Sequence, residues 1–236
     1  MSRKKSLFLI DGQTNNRPIL RKELPKSLIN SGLIEELYLG DDIEVIGGTK
    51  YKKLKEIIIT HTDLPNVRKI WRLNLEKPIP QIPFEGKKVE AAILVLTHKE
   101  EGHSTKQLEI ILFELKTSLH ANRNNMFSKI EGKLADSINR TYLLLMILED
   151  ILLQNEPKES TIKINFRGAI CYNEEARSIE NVDLYKVYKN EKPDNIINLK
   201  SILKNPEKLK VNFFKNPNNE TYPESFEIPF INLLLI

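Results

Sequence analysis

A carboxylate and an amine two residues apart, Glu114 and Lys116, close an apolar run that reads Leu108-Glu109-Ile110-Ile111-Leu112-Phe113. Alternate residues of a strand share a face, so the pair would stand side by side. A charged pair at the end of a buried strand is costly unless it is mutually paired or holds a metal. A carboxylate so placed can ligate a hard cation. The spacing Glu-x-Lys occurs four times, beginning at Glu85, Glu114, Glu131 and Glu156. The other three lie beside Gly or Pro or in a polar helical stretch, and only Glu114-Leu115-Lys116 follows an apolar strand. Its competing reading is an ordinary strand-end salt bridge.

The elements that must position this pair can be read outward from it. The β-branched and aromatic run before Glu114 predicts a strand covered on both faces. A second strand, Lys88–Leu96, precedes it across a polar loop with Gly102 at its middle. A hairpin symmetric about Gly102 sets Leu96 opposite Leu108, Ala92 opposite Leu112 and Glu90 opposite Glu114. Directly opposed Cβ atoms lie roughly 4.5–5.5 Å apart, so Glu90, Glu114 and Lys116 would converge on one face. Two opposed carboxylates need a cation or a shared proton. A slip of one residue would send Glu90 to the other face.

A long helix, 124–154, is predicted next from the stripe Phe127, Ile130, Leu134, Ile138, Tyr142, Leu145 and Leu148. Lys129, Lys133, Asp136 and Arg140 recur on a flanking side, read as a solvated face. Another strand follows at Thr161–Cys171. Strand, helix and strand in that order predict a β-α-β crossover with parallel strands. Before the hairpin, a first helix is expected over Lys22–Leu39, with Gly40 as its stop and Glu35 and Glu36 near its end. The pieces Ile43–Ile46, Leu54–His61 and Val67–Leu75 predict an antiparallel meander. Lys50, Lys52, Lys53, Lys55, Arg68, Lys69 and Arg72 read either as a basic side of that meander where a nucleic-acid backbone can run or as ordinary surface residues, and Tyr51 and Trp71 could stack on bases or equally be core or rim. Residues 1–18 read as an arm or an edge strand. The organisation expected is a core over 1–171 with an N-terminal arm, and a C-terminal extension over 172–236 packed on the same domain.

Bulk properties set outer bounds. The chain has 236 residues, 40% of them apolar, enough for one sizeable core. The net charge of +4 is compatible with a nucleic-acid partner without pointing to one. The single cysteine, Cys171, excludes internal disulfides and cysteine-rich zinc sites and suits a cytoplasmic location. His61, His98, His103 and His120 have no metal-ligand spacing. No apolar run reaches the roughly 20 residues of a membrane helix, so no membrane partner is expected.

The order helix, strands, hairpin, helix, strand, with Glu90 on one hairpin strand and Glu114-Leu115-Lys116 on the next, resembles the PD-(D/E)XK nuclease superfamily. That resemblance covers about Leu24 to Cys171. It implies an α/β class with a restriction-endonuclease-like mixed β-sheet flanked by helices. The family usually carries Asp at the first acidic position, often after Pro; here Glu90 follows Val89. The implied activity is Mg²⁺- or Mn²⁺-dependent hydrolysis of phosphodiester bonds in DNA, as an endonuclease of restriction, defence or repair. Glu90, Glu114 and the Leu115 backbone carbonyl would hold the metal, with Glu36 (or Glu35) as a further ligand. Lys116 would position or deprotonate the attacking water, or stabilise charge on the phosphorus, and Lys133 or Lys129 would touch the phosphate. A homodimer is implied by analogy. The alternative is a catalytically inactive nucleic-acid-binding or assembly subunit on the same fold.

Overall fold

The hairpin strands β7 (Ala91–Thr97) and β8 (Thr105–Leu119) are apolar on both faces because each face meets a different core. Ala92, Leu94, Leu96, Leu108, Ile110 and Leu112 pack toward the long helix α2 (Met126–Leu152) through its Ile130, Leu134, Ile138 and Leu145. Ile93, Val95, Ile111 and Phe113 face a second sheet. The computed structural model describes residues 3–10, 13–18, 23–47, 54–79, 86–98, 105–119, 126–156, 161–175, 195–201, 207–217 and 224–234.

β8, α2 and β9 (Thr161–Glu175) form the expected crossover, with β8 and β9 parallel from Thr105 opposite Thr161 to Leu119 opposite Glu175. The sequence placed the end of β9 at Cys171; pairing carries it four residues further. Beyond β7 lie β6 (Val67–Asn74) and β3 (Ile34–Leu37), both antiparallel to their neighbours. On the other side β9 receives β11 (Glu207–Lys215) in parallel, and β10 (Ile196–Leu199) runs antiparallel to β11. β1 (Arg3–Ile10) pairs with the start of β9 and with β2 (Gln13–Pro18). Among the described residues this is a nine-stranded mixed sheet.

Two expectations fail. The first helix, α1, covers only Glu23–Asn30. Gly32, at φ +66°, ends it: its N–H donates to the Ile29 carbonyl and the Leu33 N–H to the Leu28 carbonyl, a Schellman closure. The chain then turns into β3, so Glu35 and Glu36 lie on a strand. The meander is also split. β4 (Ile43–Ile46) and β5 (Glu56–Thr60) pair antiparallel in the second sheet, whereas β6 belongs to the main one. His61, at φ +58°, turns the chain between them. The third strand of the second sheet is β12 (Ser225–Pro229), parallel to β5, followed by the short helix α3 (Ile231–Leu234). The C-terminal segment therefore supplies strands to both sheets rather than a cover.

Candidate active site at one end of the sheet

The β7–β8 register runs from Thr97 opposite Gln107 to Ala91 opposite Phe113, as a hairpin symmetric about Gly102 requires. The ladder slips at Glu90, whose N–H donates to the Phe113 carbonyl at 3.0 Å. The preceding Val89 N–H leaves the sheet and donates to Ser137 Oγ of α2 at 2.9 Å. Val89 packs in the α2-side core and Ala91 in the other, so the alternation of faces breaks at this point. The Glu90 side chain replaces the lost ladder contact: its Oε2 accepts the Leu115 N–H at 3.0 Å. Glu90 is 2% exposed. It does not stand squarely opposite Glu114; it is tied to the amide of the residue between Glu114 and Lys116. Cys171 faces Leu115 across the β8–β9 ladder, and burial, then the Glu90 carboxylate, push its thiol well up.

Glu114 is fully buried. Lys116 Nζ lies 2.5 Å from its Oε1, and Lys133 Nζ donates to both oxygens at 2.7 and 2.9 Å. Burial pushes this carboxyl up, but Lys116 and Lys133 more than offset it, and the pKa falls below its ordinary value. Glu114 is thus ionised at neutral pH. Strand alternation brings Lys116 to its side, and the N-terminal half of α2 lays Lys133 across it. Lys129, one turn earlier, is exposed.

Glu35 and Glu36 reach the site from β3. Both are exposed; Glu35 pairs with Arg72 at 2.6 Å, and Glu36 accepts the Trp71 indole N–H at 3.2 Å and lies 3.5 Å from Lys69. With Arg72, Asn74, Lys77 and Glu90 they line a cleft of about 590 Å³. Trp71 itself is core, 2% exposed, which removes it as a base-stacking surface. The basic side expected of the meander is largely paired: Lys55 meets Glu224, as Lys69 and Arg72 meet Glu36 and Glu35. Lys50, Tyr51, Lys52, Lys53, His103 and His120 lie outside the described residues.

The flanking side of α2 is solvated at Lys129 but covered further along. Arg140 is fully buried and donates to the Lys77 carbonyl, and Asp136 Oδ2 accepts the Lys87 N–H at 3.1 Å. With Ser137 these side chains hold the segment that delivers Glu90. The spacing of three and four was visible in the sequence, but nothing in it named the chain segment that covers this side.

A hard divalent cation takes oxygen ligands and keeps several waters. Two buried carboxylates flanking the Leu115 peptide are suitable donors. Among the described residues no group of three or more His, Cys, Asp or Glu side chains comes together. A cation held here would complete its shell from water, backbone carbonyl or substrate oxygen, and Lys133 would have to yield an oxygen of Glu114. No family model, no curated protein and no solved structure matches the chain.

Proposed function

We propose that the chain is a metal-dependent nuclease of restriction-endonuclease-like architecture that hydrolyses phosphodiester bonds in DNA, with Mg²⁺ or Mn²⁺ as cofactor. The observation that carries this reading is Glu114, buried, ionised and clamped by Lys116 and Lys133 one residue from the amide that Glu90 caps. Glu90, Glu114 and the Leu115 carbonyl would hold the metal, which when bound acidifies water and offsets charge on the phosphorus. Lys116, 2.5 Å from the Glu114 carboxylate, orients the attacking water and stabilises charge at the phosphorus. Lys133, released from Glu114, pairs with a non-bridging phosphate oxygen. Glu36 shares the cleft with Glu90 and would bind the cation through water. Action as a homodimer on both strands is the companion proposal.

The test is cleavage of plasmid and linear DNA with Mg²⁺ or Mn²⁺ against EDTA, beside Lys116→Ala. Metal-dependent cutting should fall about 10²–10⁴-fold in the variant. Cutting that survives the substitution would remove the site from this hairpin.

One observation favours a second reading, a catalytically inactive nucleic-acid-binding or assembly subunit. Both oxygens of Glu114 are engaged by ammonium groups, a self-sufficient ion-pair cluster. Calorimetric titration with Mn²⁺ separates the two: binding that Glu114→Ala abolishes supports the nuclease, and no binding supports the subunit.

A further inference from the structure

At the end of the sheet that carries Glu114, three parallel strands finish side by side. Lys116 of β8 stands opposite Tyr172 of β9, and Tyr172 opposite Lys215 of β11. Residues level across a sheet share a face. Leu209 and Val211 pack in the α2-side core and Phe213 against it, so alternation places Lys215 on that same face. Two strand spacings put the two lysine Cα atoms about 10 Å apart. That is about three base-pair rises of duplex.

This end of β11 is built as a platform. The Asn216 N–H donates to the Tyr172 carbonyl at 2.7 Å, and its side-chain amide donates to Asn173 Oδ1 at 3.1 Å and to the Ser225 carbonyl at 3.4 Å. Asn216 is 1% exposed, so the residue after Lys215 is locked to both sheets while Lys215 is exposed. The rings of Phe127 and Phe213 meet edge to face between this platform and the first turn of α2.

We infer that Lys215, contributed by the C-terminal segment, is a phosphate-contacting residue that carries the DNA backbone away from Glu114 across β9 and β11. The inference rests on the nuclease reading for its ligand, but binding tests it apart from cleavage. The probe is a labelled DNA duplex of mixed sequence, titrated in EDTA over a range of salt concentrations. Lys215→Gln should weaken binding about five- to tenfold near 0.1 M salt and lower the slope of log K against log salt by about 0.9. Lys215→Arg should bind as the native chain does. Lys208→Gln makes the same charge change on an exposed residue at the opposite end of β11 and should leave both quantities unchanged. An unchanged slope in Lys215→Gln, or an equal effect from Lys208→Gln, would overturn the inference. Loss of duplex binding in Lys215→Gln by a protein that never cleaves would uphold it while removing the nuclease reading. Cleavage with an unaltered slope would do the reverse, and a native chain that binds no duplex would sink both.

Discussion

Glu114 holds its charge where a lone carboxylate would not. Burial opposes ionisation, and Lys116 and Lys133 reverse the balance, so its pKa lies below the ordinary 4.5. A depressed carboxylate stabilises the fold above its unfolded pKa, and the contribution is lost as the pH falls through the folded value. Removing one partner of a wholly buried pair costs about 3–5 kcal/mol. The lysine side chains here keep 24% and 22% exposure, so Glu114→Gln should cost about 2 kcal/mol at neutral pH. That gap from the native chain should narrow below pH 4.5, which urea unfolding across a pH series would show. A gap that stays flat into acid would mean that Glu114 is not the titrating partner. Glu90 can be dissected by chemistry. Glu90→Gln keeps an acceptor for the Leu115 N–H and loses the charge; Glu90→Ala loses both and strands a buried donor, costing about 1–3 kcal/mol. If Glu90 is a metal ligand, Glu90→Gln should stay close to native in stability yet lose divalent-ion affinity at least about tenfold. Equal affinity in the two proteins would reduce Glu90 to a backbone cap. At this scale the sequence was informative about residue types and poor about direction. Glu114 and Lys116 followed from alternation, whereas the turn of Glu90 depends on Val89 being drawn to Ser137 of a distant helix.

At the scale of elements, local chemistry decided what periodicity could not. Leu24, Leu28, Leu33, Ile34 and Leu37 fit one side of a helix well enough to suggest that α1 runs through to Leu39. The left-handed backbone of Gly32 ends it about two turns after Leu24, and Leu33 and Ile34 enter the α2-side core while Leu37 packs toward the second sheet. Side chains rarely take that conformation, and a Cβ at Gly32 would come within 3.0 Å of Lys77 Nζ, itself bonded to the Ser31 and Gly32 carbonyls. Gly32→Ala should therefore destabilise the protein by about 1–2 kcal/mol, read as a shift of the urea midpoint at constant m. A neutral or stabilising result would mean that the turn tolerates another closure. The hairpin, by contrast, was legible in its register as far as Ala91, because a loop centred on Gly102 and two strands apolar on both faces leave few other pairings. The sequence could not show that β5 and β6 separate into different sheets. Both are short strands, and what distinguishes them is that β5 has a partner, β12, which lies far along the chain, while β6 pairs with β3 and β7.

The whole molecule depends on that distant partner. A boundary at residue 171 falls inside β9, and the segment beyond it carries β11 onto the free side of β9 and β12 onto β5. Without β12 the second sheet would be β4 and β5 alone, and a two-stranded ribbon is marginal in water. That ribbon covers the face of Ile93, Val95, Ile111, Phe113 and Cys171, so its loss would open the core beneath the hairpin. Phe226, Ile228, Phe230 and Leu233 leave with the same segment, each worth about 1.5–3 kcal/mol when fully buried, against the 5–15 kcal/mol that typically holds a domain together. A chain ending at Glu175 should consequently lack a cooperative thermal transition and should self-associate through the bared edge of β9. Cys171 supplies an independent reading. Buried and with its thiol pushed up, it should resist alkylation in the full chain for as long as the fold persists, and react at once in the truncated one. A truncated chain that melts cooperatively and still protects Cys171 would show that the hairpin, α2 and β9 fold without the C-terminal strands, and that the second sheet is an addition to the core rather than part of it.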